Sequence, residues 1–307
     1  MKARNIGVVR SALNNEPVVM LGKVGANGKV AGKTSRVLGM AVVPLATMEH
    51  IMQPMFADIP GGHMGGKYIE SIKDHIDSVC DDACEHKRTR KCYAQFNAQS
   101  TTEAVKMIRD AGPVTLSSSG SMSSGATIQR NVLSIINAND LGPGDRVRWM
   151  IVGSTGALPM YASQRVINTC LRRELTPLAY VENWRDRPDL RASHMASCFT
   201  LDDVREAEFH GWRAFYSPAA ETLGNVVPDG FTMCPSSKYR ENAGHVRVGC
   251  ADCGLCNGAT TEDNRKHILN IRHGNGDASR VAGLVRRGEL DRIITNKHGR
   301  TVGAYTS

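Results

Sequence analysis

Residues 147–182 read VRWMIVGSTGALPMYASQRVINTCLRRELTPLAYVE. An apolar run at 147–153 gives way to small residues, then to a helical pattern at 160–174 and a second apolar run at 177–182. A strand, a helix of about 10–15 residues and another strand form the βα unit of a parallel sheet. The pattern recurs on both sides. TTEAVKMIRDA (101–111) and TLDDVREAEFHG (200–211) read as helices, and PVTLSS (113–118), RASHMASCF (191–199) and WRAFYS (212–217) read as strands. Thr200, with Asp203 three residues on, approximates a capping box, and Gly211 stops that helix. Upstream, the apolar stretch from Val37 to Ala46 predicts one more strand. Small residues follow two of the predicted strands, at Ser117 to Gly120 and at Gly153 to Gly156. Ligands of parallel α/β folds bind at the carboxyl ends of strands, so Ser119, Gly120 and Gly153 are candidate cofactor contacts.

The chain has 307 residues, 41% of them hydrophobic, which excludes a mainly disordered protein and supplies a sizeable core. Its longest apolar stretch, Val37 to Ala46, is far short of the ~20 residues of a membrane helix. The start, MKARNIGVVRSALNNEP, lacks an apolar run of signal-peptide length, so the expectation is a soluble, cytoplasmic protein. A net charge of +8 favours a polyanionic partner such as a nucleic acid or a nucleotide. Aromatics are scarce (6 Phe, 7 Tyr, 3 Trp), which argues against gripping single strands mainly by base stacking.

Cysteine placement carries the chemistry. Seven of the nine cysteines fall in two sets: Cys80, Cys84 and Cys92 in CDDACEHKRTRKCYA, and Cys234, Cys250, Cys253 and Cys256 in CPSSKYRENAGHVRVGCADCGLC. Cys170 and Cys198 sit in apolar surroundings and read as small buried hydrophobes. Without an export signal, clustered thiols point to metal or iron–sulfur ligation rather than to disulfides. The C-x2-C-x2-C run of the second set, with Cys234 as a fourth ligand, suits a four-iron cluster or tetrahedral zinc, and Gly254 provides the small residue such a turn needs. Three thiolates on a four-iron cube leave one iron open to a small molecule. Zinc at the first set would instead need a fourth ligand, for which His75 or His86 could serve.

GANGKVAGKTS (25–35) imitates a phosphate-binding loop, but Asn27 stands where the first glycine is required. Neither an H-x-x-x-H zinc-protease pattern nor a G-x-S-x-G nucleophile elbow occurs.

The combination of C-x3-C-x7-C-Y-A, the later CP…CADCGLC and the run HILNIRHG (267–274) resembles a group of cysteine-rich proteins encoded by phages and plasmids, which look like divergent relatives of the radical S-adenosylmethionine superfamily. The resemblance spans about residues 78–277, including MASCFTLDDVREAEFHGWRAF. It implies a partial (β/α)6-type, TIM-like barrel over 78–217, after an N-terminal extension (1–77) that supplies a strand. A cysteine-rich segment (218–307) comes next, with a C-terminal helix at about 278–294. It further implies a [4Fe-4S] cluster on Cys80, Cys84 and Cys92, with S-adenosylmethionine on the open iron, and a second [4Fe-4S] or zinc site on Cys234, Cys250, Cys253 and Cys256. The spacing departs from the superfamily's usual C-x3-C-x2-C, and SSSGS after the predicted 113–118 strand takes the place of a Gly-Gly-Glu motif. GSTG stands where relatives often carry Gly-Asp.

The activity so implied is that of a radical enzyme fed by an electron donor, in which the cofactor does the hard chemistry and the protein orients the substrate. Phage-like resemblance and basic charge together suggest a nucleobase in viral DNA as substrate, with an isomerase or transferase step in thymidine hypermodification as the expected class. The location would be the cytoplasm of an infected bacterium. The alternative is a non-catalytic zinc or iron–sulfur protein that binds nucleic acid through Lys87, Arg88, Arg90 and Lys91.

Overall fold

A computed structural model describes residues 2–25, 36–52, 78–79, 98–114, 116, 120–151, 153–218, 230–235, 248–258, 267–270, 292–295 and 301–305. The chain opens with an antiparallel hairpin of β1 (Arg4–Arg10) and β2 (Pro17–Val24), and β2 pairs antiparallel with the wholly buried β3 (Val37–Pro44). From β3 onward pairing is parallel. β3 pairs with β4 (Arg146–Arg148) and β4 with β5 (Thr176–Leu178). A second sheet then runs from β6 (Tyr180–Val181) through β7 (Met195–Cys198), β8 (Ala214–Tyr216) and β10 (His267–Leu269) to β9 (Phe231–Met233), again all parallel. Only Ala179 separates β5 from β6. The result is a mixed α/β fold dominated by parallel strands. Among the described residues no helix is long and apolar enough to cross a membrane.

Helices cover one side of these strands: α1 (Leu45–Ile51), α2 (Ala98–Ala111), α3 (Gly125–Ala138), α4 (Met160–Arg172) and α5 (Leu201–Phe209). Alternation along each strand explains why. Val147, Val181, Ala196, Cys198, Ala214, Tyr216 and Leu269 point into one large core with Ile128 and Val132 of α3, Val166 and Cys170 of α4, and Val204 and Ala207 of α5. Both Cys170 and Cys198 are thus buried and free, and burial pushes the Cys170 thiol up to about 12. The expected cap is present: Thr200 Oγ1 accepts from Asp203 N, and Asp203 Oδ2 accepts from Thr200 N.

Several expectations change. The described residues of 1–77 include three strands, and β3 sits between the hairpin and the parallel strands. The predicted strand at 113–118 is absent at the described positions 113, 114 and 116. Here the chain leaves α2 through Gly112 (φ 75°) as open loop. The small-residue tract leads instead into α3, for which Ser124 is the N-cap, its side chain accepting from Thr127 N. At the C-terminus, residues 292–294 of the predicted helix belong to strand β11 (Arg292–Thr295), which pairs antiparallel with β12 (Thr301–Tyr305). β-branched Ile293 and Ile294 favour that pairing. The remainder of that helix, 278–291, lies outside the described residues.

The loop after β4 is held from two sides. Met150 (φ 48°) and Gly153 (φ 81°) bend it across the end of β3, where a Cβ on Gly153 would stand 2.5 Å from the Val42 carbonyl oxygen. The buried Arg187 donates to the carbonyls of Thr155 (3.2 Å) and Leu158 (2.9 Å) and to Ser163 Oγ (2.8 Å), and it pairs with Asp189. Fully buried His194 bridges Ser193 Oγ (2.8 Å) and Thr155 Oγ1 (3.1 Å). Burial, and then the Arg187 charge, pull its pKa from 6.5 down to about 3.

Stability should register both features. Gly153→Ala should cost more than about 2 kcal/mol in denaturant unfolding, because it combines an unfavourable φ with a backbone collision. Between pH 6.5 and about 3 the unfolded chain binds a proton at His194 that the folded chain refuses. Stability should therefore drop as pH falls through that window, by about 1.4 kcal/mol per pH unit from this residue. His194→Gln should remove that slope.

Candidate functional site

The face of the strands opposite the helices is covered by the second cysteine segment. Met195, Phe215 and Ile268 are buried there against Tyr180, Cys234, Leu255 and Cys256, and Val37 and Leu178 are buried against Ala251 and Cys250. Cys250 to Cys253 form a single helical turn, α6, which ends on Gly254 in the left-handed region (φ 65°) and turns the chain toward Cys256. The small residue expected at this turn is therefore required by conformation. It also leaves room for a neighbour, since a Cβ there would stand 3.1 Å from the Arg146 guanidinium. Cys234 follows β9, and its N–H donates to the Leu269 carbonyl (2.8 Å).

Two arginines hold this segment, and a third stands beside it. Arg146 Nε donates to the Ala251 carbonyl (3.0 Å). The buried Arg213 donates to the carbonyls of Leu255 (3.0 Å) and Asn257 (2.7 Å). Arg148 donates to Tyr180 Oη (2.6 Å) and lies 4.8 Å from the centroid of that ring, which stacks on Phe215 at 4.5 Å. At Gly258 the backbone passes so close to Arg191–Ser193 that an added Cβ would be 2.3 Å from main-chain atoms. These arginines do not stand out in the sequence. The one signal is Arg146 and Arg148 alternating on the strand that opens the 147–182 pattern.

None of the four cysteines of the second set is in a disulfide. Burial raises the Cys256 thiol pKa, and the neighbouring thiols of Cys234, Cys250 and Cys253 raise it further, while Arg148 opposes them. The four sulfurs therefore share one electrostatic neighbourhood. Among the described residues, no three or more His, Cys, Asp or Glu side chains stand at metal-holding distances as placed.

The first set, Cys80, Cys84 and Cys92, lies outside the described residues, as does Ser119, but the residue before Cys80 is described. Val79 is fully buried in the main core, and its carbonyl accepts from Ser154 N (3.0 Å). Asn14 Nδ2 donates to the Ser78 carbonyl at 3.3 Å. The chain thus enters the Cys80 segment from the carboxyl end of β4. There Ser154 Oγ donates to Glu182 Oε2 (3.1 Å), a half-buried carboxylate just past β6 that no sequence motif marks. Gly153 lies beside Ser154, with its own conformation explained by the approach to Val42. Gly120 (φ 65°) is exposed on the loop before α3. Ser123 of the same loop exchanges hydrogen bonds with Val8, tying it to β1.

No family model, curated protein or solved structure matches the chain. Val79→Ala should lower unfolding free energy by about 2 kcal/mol through two lost buried carbon groups. Urea denaturation of the variant beside the parent measures this.

Proposed function

We propose that this chain is an iron–sulfur enzyme of the radical S-adenosylmethionine type, whose parallel strands form an open, partial (β/α)6-like barrel. Its expected substrate is a modified nucleobase in DNA and its expected reaction an isomerisation. The carrying observation is the anchor of Val79 on Ser154, which starts the three-cysteine segment at the carboxyl end of a parallel strand. Sites in parallel α/β folds form at that end. The strand order supports the barrel reading, because every pairing from β3 to β9 is parallel and β5 continues into β6 after one residue.

Cys80, Cys84 and Cys92 would hold a four-iron cluster with one open iron, and S-adenosylmethionine bound there would supply one-electron, hydrogen-abstracting chemistry. The chain's own groups at this end have simpler tasks. Glu182 accepts a hydrogen bond and is placed to orient hydroxyl or amine donors, while Ser154 holds that carboxylate in position. Trp149 and His194 pack in the core beneath the loop with ring centroids 5.3 Å apart and exclude water from its underside.

The second set fits a soft metal centre by its donor chemistry. Four half-buried thiols outside any disulfide share one neighbourhood, the nearby Arg148 charge offsets thiolate charge, and hydrogen bonds to its carbonyls fix the segment that carries three of them. Zinc or a second cluster would complete its shell with four protein ligands, so the role is structural or electron-transferring.

Anaerobically purified protein should absorb broadly near ~400 nm and contain iron and sulfide. It should also cleave S-adenosylmethionine to methionine when reduced. Cys84→Ala should abolish that cleavage with little change in thermal midpoint, whereas Cys253→Ala should lower the midpoint and the soluble yield. Colourless parent protein with stoichiometric zinc would overturn the enzyme reading in favour of the non-catalytic nucleic-acid-binding alternative.

A further inference from the structure

Helices α3 and α4 lie side by side and run in the same direction. Tyr161 Oη donates to the Ser123 carbonyl (3.4 Å) at their starts, Arg165 donates to Gln129 Oε1 (3.2 Å) one turn on, and Arg173 reaches Asn137 Oδ1 at their ends. Their sequences, GATIQRNVLSIINA and MYASQRVINTCLR, contain no acidic residue. On α4 the exposed positions Tyr161, Arg165, Asn168 and Arg172 recur at i, i+4, i+7 and i+11, which makes one stripe about 16 Å long. Beside it α3 exposes Arg130, Ser134 and Asn137, and Arg4 of β1 joins through its bond to Ser134 Oγ (3.3 Å). By contrast α5 carries Asp202, Asp203, Glu206 and Glu208, so charge is sorted between the helices.

Two features make this face call for an anion. Parallel helices add their dipoles, so both positive ends meet at Ser124 and Met160. Arg165 lies against that same end, close enough that a Cβ on Gly125 would stand 3.3 Å from its Nε. A guanidinium on a positive helix end is unfavourable until something negative lies over both. Among the described residues, Asp140, Asp145 and Glu174 lie at the C-terminal ends of these helices, with Asp145 paired with Arg36, and Asp189 near the start of α4 is paired with the buried Arg187.

We propose that the exposed face of α3 and α4 docks the phosphate backbone of duplex DNA. The stripe on α4 spans about five phosphate steps of one strand. Arginines interleaved with Gln129, Ser134, Asn137 and Asn168 supply the charged and neutral donors that phosphate oxygens accept from. Because α4 follows β4, its first turn stands at the carboxyl end of the strands, and a duplex lying along the stripe leads toward Val79, Ser154 and Glu182. The choice of DNA as the polymer rests on the reading of a nucleobase substrate, while the surface itself does not.

The test is fluorescence anisotropy of a labelled duplex of about 20 base pairs with the full-length, anaerobically purified protein, over a salt series. The parent should bind, with a log–log salt slope of about −0.9 for each phosphate neutralised. The triple variant Arg130→Glu/Arg165→Glu/Arg172→Glu should bind at least about tenfold more weakly, with a slope shallower by about 2–3. The milder Arg→Gln triple should fall in between, and Arg205→Glu on α5 should behave as the parent. Equal affinity and slope for parent and both triples would overturn the proposal. Failure of the parent to bind duplex DNA at low salt, or tighter binding of a single-stranded RNA of equal length, would overturn it as well. Iron content read on the same samples keeps the two readings apart, since colourless protein that binds DNA through these arginines retains the surface and loses the enzyme.

Discussion

The peptide unit at Ala179 is where the architecture turns. Its carbonyl accepts from Met195 N (2.9 Å) and so commits the chain to the second sheet, while its N–H donates to the Cys256 carbonyl (2.8 Å). A strand that leaves one neighbour for another exposes a backbone donor in the interior, and an unpaired buried donor costs about 1–3 kcal/mol. Cys256 fills that vacancy. The junction between the sheets and the seat of the second cysteine segment are therefore one structural event, and neither is complete without the other.

That junction explains how the segment is held. Only Ala251 of residues 250–256 is fully buried in an apolar contact, so packing alone anchors it weakly. Instead its carbonyls are satisfied by Arg146 and Arg213, side chains rooted in or beside the strands, and its backbone runs close to β7's entry at Gly258. Arginine suits this task because its fork reaches several carbonyls at once while bringing positive charge to a neighbourhood of thiols.

Much of this is legible in the sequence, for identifiable reasons. Helices α4 and α5 and the strands around them follow from periodicity and from the Thr200 cap, which are local signals. Helix α3 escapes a sequence reading although Ile128, Val132, Ile135 and Ile136 have helical spacing, because the serine- and glycine-rich tract before it reads as loop alone. The β1–β2 hairpin escapes it because its strands are apolar on successive residues, as buried strands are, and do not alternate. Cysteine spacing identifies the second set, whereas Arg146, Arg148, Arg213 and Glu182 act across sheet neighbours distant in sequence, which spacing cannot report.

The two cysteine sets stand in different relation to the fold. Residues 250–258 are fastened by backbone bonds at Ala179, arginine forks at Ala251, Leu255 and Asn257, and a close main-chain approach at Gly258. These bonds tie the segment to both sheets at once. Cys80 is joined to the fold through Val79, whose side chain belongs to the core while its carbonyl belongs to the loop after β4. Burial of its side chain fixes Val79 in the core while its carbonyl stays bonded to Ser154 N. The two sets thus differ in attachment as far as the described residues reach: residues 250–258 are woven into the sheet junction, whereas the approach to Cys80 runs through one buried valine bonded to the loop after β4.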